Sequence, residues 1–382
     1  MKTTDKINKN IRDSKFEILR IIAMILIVAH HFAIYGFELG KIETFSYNKI
    51  IVDILSLGGK LGVNLFILIS AYFMVDSKFY LKKFIKIFGE TWFYSIIILI
   101  LFKTLLTPAT YIGVKQIIKS IFPIIFGTYW FITDYILLMI LSPFLNNLIN
   151  SLEMKLFRKM LIILITLSVF ISGTIPGTLG VISNSLIWFI ILYLTVGYIK
   201  KYIDLTKNTL RINLLISIVT YLILIIIIIL LNLLGHKLNN NVTILNNCTY
   251  FKKQNSVFIF VTSIELFLAF IKIPTCNNHF INKIASCTLG VYLIHDNEFM
   301  REYIWKTLFK NQSYYFSDNL FFYAIFAITT VYIICTIFDL IRQETIEKLY
   351  INITNNLYKK TEKYFNNFKT FIDIKLDIKK IL

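Results

Sequence analysis

Cysteine, proline and charge are all scarce in this 382-residue chain. Its four cysteines, Cys248, Cys276, Cys287 and Cys335, stand singly and without the spacing of metal ligands. Neither a disulfide framework nor a metal site is expected, and the thiols read as free. Only 5 prolines occur, all near expected helix ends or loops except Pro143, and no internal repeat is visible. Transporters commonly combine repeated halves with helices broken by Gly or Pro, so that class is disfavoured. No stretch reads as an appended soluble domain. The first 15 residues are polar and basic, but they lead into a full membrane-length run with no small-residue cleavage site, which reads as an anchor and not a removable signal peptide.

Hydrophobic residues fill the space that charge leaves. They make up 57% of the chain against 16% charged, and the mean hydropathy is +0.68. A soluble domain of this length is not so apolar, and runs such as LLISIVTYLILIIIIILLNLL (214–234) exceed the ~20 residues that cross a bilayer core. Heavy use of Ile, Lys, Asn, Phe and Tyr suggests an AT-rich coding genome. The net charge of +18 could suggest nucleic acid, but the lysines lie between apolar runs and in the tails, where they would face anionic lipid. We therefore expect an all-α, multi-pass membrane protein with no nucleic-acid partner.

Apolar windows predict a bundle of about ten transmembrane helices, at 16–37, 54–75, 91–107, 127–149, 156–173, 183–199, 212–234, 255–272, 284–300 and 320–341. The third is interrupted by Lys103 and the ninth by HDNE. With the N-terminus inside, 27 of the 40 lysines and arginines fall on the cytoplasmic side; Arg20 lies within the first span and 12 fall outside. This asymmetry places both termini in the cytoplasm. The expected organisation is a basic N-terminal tail (1–15), a transmembrane domain (16–341) and a basic C-terminal tail (342–382). In that tail Leu357, Tyr364, Phe368, Phe371 and Ile378 recur at near-helical spacing between lysines, as in an amphipathic helix lying on the inner leaflet. A docking helix for a partner is the alternative.

The first span, FEILRIIAMILIVAHHFAIYGF, carries an arginine and two histidines that lipid disfavours. Arg20 and His31 are eleven residues apart, a rotation of ~1100°, which leaves them within ~20° of one another and ~16 Å apart along the helix. His30 projects ~80° from Arg20. Arg20 alone could snorkel to headgroups and pair with Glu17, and either histidine alone could serve as an interhelical hydrogen-bonding group. Together on one stripe they point to a protein cavity. A neutral imidazole takes a proton from a hydroxyl, and an arginine holds phosphate or carboxylate bidentately. That pair suits acyl transfer, phosphoryl transfer or proton-coupled transport. Asp134, beside Tyr129 and Trp130, could orient a histidine, bind sugar hydroxyls or pair with a neighbouring cation. His295 and Asp296 could line an acceptor entrance or end the ninth span in water. Glu265 is a further intramembrane acid.

Four stretches, in order, resemble the acyltransferase-3 family of integral membrane acyltransferases: LRIIAMILIVAHHF, with an arginine and histidine separated by ten residues; GVNLFILISAYFM (62–74); YWFITDYILLMILSPFLNN (129–147); and LGVYLIHDN (289–297). The resemblance runs from about residue 14 to 341. It implies transfer of an acyl group, usually acetyl, from cytoplasmic acyl-coenzyme A to a sugar hydroxyl of a cell-surface or lipid-linked polysaccharide. His31 would be the catalytic histidine, with Arg20 its partner and His30 beside it. Acyl-coenzyme A would be a substrate, no cofactor or metal would be permanently bound, and glycan-synthesis proteins are possible partners in the cell membrane. Many members carry Arg-x-x-Arg after the second helix, where this chain has Lys83-Phe-Ile-Lys86; with Lys82 these could contact the coenzyme A phosphates, though lysine lacks the bidentate fork. Ser-Ala-Tyr, with Ala71, replaces the family's common Ser-Gly-Tyr. Tyr129, Trp130, Asp134, His295 and Asp296 are the expected acceptor-binding residues. The alternatives are a glycan transporter or flippase and an inactive accessory subunit of a glycan synthase.

Overall fold

The computed structural model describes residues 12–38, 45–77, 81–106, 112–179, 185–205 and 209–348. Those residues are mostly helical, with no strand among them. The helices are α1 (Ser14–Gly36), α2 (Tyr47–Leu55), α3 (Gly58–Met74), α4 (Leu81–Leu101), α5 (Val114–Ile121), α6 (Trp130–Ser151), α7 (Met154–Ile165), α8 (Ser185–Tyr202), α9 (Leu210–Lys237), α10 (Val242–Asn247), α11 (Val257–Lys272), α12 (His279–Ser286), α13 (Thr288–His295), α14 (Glu298–Glu302) and α15 (Leu320–Arg342). The expected amphipathic tail helix lies outside the described residues.

Eight helices, some of them joined pairs, are long and apolar enough to cross a membrane. They correspond to eight of the ten expected spans. The expected span at 156–173 is helical, α7 continuing as a π-helical stretch through Thr166–Ser172, but Lys155, Arg158 and Lys159 crowd its first turns. The expected span at 284–300 is not one helix. It is divided into α12, α13 and α14, with Asp296 and Asn297 at the last break. Asn297 takes the N-cap of α14, its side chain accepting from the Phe299 N–H at 3.0 Å, so a short polar side chain ends one helix and starts the next.

Helix α1 is central, packing against α2, α3, α11, α12, α13 and α15. Its start is pinned by Lys15, whose Nζ donates to Ile271 O (3.1 Å) and Ile273 O (3.0 Å) at the end of α11. A cation there satisfies carbonyls that the helix leaves unpaired. The tightest approach is between α1 and α3. A Cβ on Gly62 would stand 2.4 Å from Ala23 O, and one on Gly59 would stand 2.3 Å from the His30 ring. Gly58 and Gly62 form a small-xxx-small pair, which lets two backbones meet closely where lipid gives helices no hydrophobic reason to associate. Helix α9, by contrast, is mostly lipid-facing, with Leu215, Ile218, Ile226 and Leu230 exposed, and meets the bundle chiefly through α11.

Candidate active site

A chamber of about 1510 Å³ runs alongside α1. At one end its wall carries Arg12, Lys15, Arg20, Lys83 and Lys86; at the other it carries His30, His31, Tyr35, Lys60 and Lys252, with Trp130. The helical period explains why one stripe of α1 serves both ends: Arg20 and His31 share a face, and Met24 and Ile27 between them line the same wall.

His31 is buried and held on both sides of its ring. Its Nδ1 lies 2.9 Å from His295 Nε2, and its Nε2 lies 3.7 Å from Asp296 Oδ1. His295 Nδ1 is 2.6 Å from Val291 O. A carbonyl only accepts, so with neutral rings His295 carries its proton on Nδ1 and presents a bare Nε2. His31 Nδ1 then donates to that nitrogen, and His31 Nε2 keeps a free lone pair. The α13–α14 break brings these groups together. It turns the chain so that His295 and Asp296 lie beside α1, 264 residues from His31 in the case of His295. Asp296 Oδ1 is also 3.9 Å from Arg301 Nη1, and Arg301 donates to Tyr35 Oη at 3.0 Å while stacking over that ring.

His30 has a different setting. Its Nδ1 is 2.5 Å from Ser56 O, so it donates to that carbonyl, and its ring fills the space left by Gly59. Arg20 lies 2.5 Å from Glu17 and over Phe73, with its side chain 23% exposed.

Several expected site residues stand elsewhere. His295 and Asp296 neither end a span in water nor line an entrance: both are buried behind His31, because the chain turns inward at the break. Tyr129 is off the chamber wall; its hydroxyl accepts from Asn297 Nδ2 (2.7 Å) and donates to Leu293 O (3.1 Å), which ties the two sides of the break together. Asp134 is also off the wall and accepts from Ser185 of α8. Lys82 is exposed and outside the lining, whereas Lys83 lines the chamber with its Nζ 6.0 Å from the Tyr135 ring. Lys86 lines it too, but is paired with Glu347 at 2.5 Å. Glu265 has a partner, Asn213 Nδ2 at 2.5 Å. Lys60, Lys252, Tyr35 and Arg301 were not singled out by the sequence. The first lies inside a predicted span, where a lysine is itself a signal.

Among the described residues no His, Cys, Asp and Glu group has the arrangement of a metal site. No curated protein and no solved structure matches the chain. The family model described as an acyltransferase domain, that of acyltransferase family 3, matches residues 13–339. That match runs from the first turn of α1 to the last turn of α15 and takes in every residue of the His31 cluster, so the chain belongs to the acyltransferase-3 family.

Proposed function

We propose that this protein transfers an acyl group, acetyl by preference, from acyl-coenzyme A to a hydroxyl of a cell-surface or lipid-linked glycan, with His31 as general base. The observation that carries the reading is the tautomer chain Val291 O–His295–His31, which leaves a lone pair on His31 Nε2 at the chamber wall. His31 Nε2 removes the proton from the acceptor hydroxyl as its oxygen attacks the thioester carbonyl. The C–O bond forms and the C–S bond breaks. The imidazolium then returns the proton to the departing thiolate, so the enzyme ends as it began. Asp296, 3.7 Å from Nε2, stabilises the ring while it is charged.

The donor enters from the Arg20 end, which we assign to the cytoplasm of a cell membrane. Arg12 and Lys83 offer cations for the coenzyme A phosphates, with Arg20 deeper along the same wall. The acceptor approaches His31 from the opposite end.

The test is acetyl release from acetyl-coenzyme A, and transfer to cell-surface glycan, by the purified protein in lipid nanodiscs. His31→Ala should lower turnover by roughly 10²–10⁴, the usual contribution of a positioned base. Turnover within a few-fold of wild type would overturn the assignment.

A further inference from the structure

The two ends of the chamber differ in how their cations are partnered. At the Arg20 end, Lys15 lies 3.3 Å from Asp13, Arg20 2.5 Å from Glu17 and Lys86 2.5 Å from Glu347. All the carboxylates on the wall, Asp13, Glu17 and Glu90, belong to the start of α1 or to α4. At the His31 end the wall carries two lysines and no carboxylate. Lys60 follows Gly59, which abuts the His30 ring, and its Nζ stands 4.2 Å above the Trp130 ring. Lys252 lies on the short turn before α11. Among the described residues neither ammonium group has a hydrogen bond or a carboxylate within ion-pair distance. The nearby Lys49 is different: it is tied to Asp53 at 2.8 Å, Asn232 at 3.0 Å and Cys248 at 3.2 Å. Asp296 is the carboxylate behind this end, but it is committed between His31 and Arg301.

Partly buried cations inside a membrane bundle are costly unless something compensates them, and they mark ligand paths. A cation over an indole is compensated only in part. We infer that Lys60 and Lys252 bind an anionic group of the acceptor, so that the substrate is a sugar carrying a carboxylate or a phosphate beside the hydroxyl acylated at His31. The inference rests on the proposed acyl transfer for its biological meaning, but the binding it predicts does not depend on turnover.

The probes are three methyl glycosides of one size: methyl glucoside, methyl glucuronide and methyl glucoside 6-phosphate. Their binding to the full-length protein in neutral-lipid nanodiscs is measured by equilibrium dialysis and by fluorescence of Trp130, compared with Trp130→Phe. At least one anionic glycoside should bind tenfold or more tightly than the neutral one, with affinity falling as salt rises. Whichever of the two binds better names the source of the charge. Lys60→Met combined with Lys252→Met should bring the three affinities within about twofold. Lys60→Arg combined with Lys252→Arg should keep the preference, which separates charge from packing. Equal affinities for the three glycosides in wild type would overturn the inference. So would displacement of the bound anion by acetyl-coenzyme A, because the lysines would then belong to the donor. Absence of acetyl turnover alongside anion preference would overturn the proposed reaction and leave the anion site standing.

Discussion

Two of the buried polar networks among the described residues differ in how closely their charges are paired. In the first, Arg342 of α15 sits 2.7 Å from Asp339, 3.0 Å from Glu90 and 3.0 Å from Glu347, so each guanidinium nitrogen has a carboxylate oxygen. Tyr94 donates to Asp339 at 2.6 Å, and Gln343 donates to its second oxygen at 2.7 Å. In the second, His31 has a close partner on Nδ1 alone. Its Nε2 faces Asp296 Oδ1 across 3.7 Å, beyond hydrogen-bond distance. A closely paired network fixes helices to one another. A loosely paired one retains capacity for a proton or a ligand, at a cost the rest of the fold must offset. The Arg342 group joins α15 to α4 and reads as structure; the His31 group reads as chemistry.

Substitutions should separate the two. His31→Ala should cause the larger loss of turnover, as stated above, while the thermal melting temperature of the detergent-solubilised protein changes little. Arg342→Ala should do the reverse. It leaves Glu90, Asp339 and Glu347 without their shared cation, and breaking such a buried group costs about 3–5 kcal/mol. Melting temperature should fall clearly, while turnover per folded molecule stays within a few-fold. Equal melting temperatures for wild type and Arg342→Ala would remove the contrast. His295→Phe should come next: it keeps the ring but removes the acceptor that fixes the His31 tautomer. The kcat should drop by roughly tenfold or more with KM little changed, since base orientation and not substrate binding is lost. Unchanged kcat would mean that His31 needs no tautomer partner.

How much of this was legible in the sequence varies with range. The Arg20–His31 stripe was, because the helical period alone sets the angle between residues eleven apart. The all-helical membrane architecture was too, because long apolar runs leave no other way to satisfy the backbone. The count of spans was less so. A hydropathy window treats 284–300 as continuous, whereas HDNE breaks it, and the break is what delivers His295 and Asp296 to α1. No local pattern announces a contact 264 residues apart. The setting of Asp134, off the chamber wall, was hidden for a related reason: Ser185, its partner, comes from α8, 51 residues away. The lysine motif was half legible. Charge placed Lys83 and Lys86 with Arg20, and they line the chamber with it, but the pairing of Lys86 with Glu347 depends on where the end of α15 lands.

The smallest expected effect tests whether the break is held by design or merely tolerated. Tyr129 spans it with one hydroxyl, accepting from Asn297 on the far side and donating to Leu293 on the near side. Removing that oxygen leaves the Asn297 amide and the Leu293 carbonyl each short of a buried partner, and Tyr129 itself is 1% exposed, so water cannot readily replace it. Tyr129→Phe should therefore destabilise the protein by about 0.5–1.5 kcal/mol. Because His295 and Asp296 lie between the two anchored residues, the loss should also appear in kcat, by several-fold, more than in acetyl-coenzyme A affinity. Asp134→Asn, at a hydrogen bond off the chamber wall, is the matched control and should leave kcat near wild type. If the two variants lowered kcat alike, Tyr129 would be an ordinary packing residue and the His31 network would owe its geometry to α1 alone.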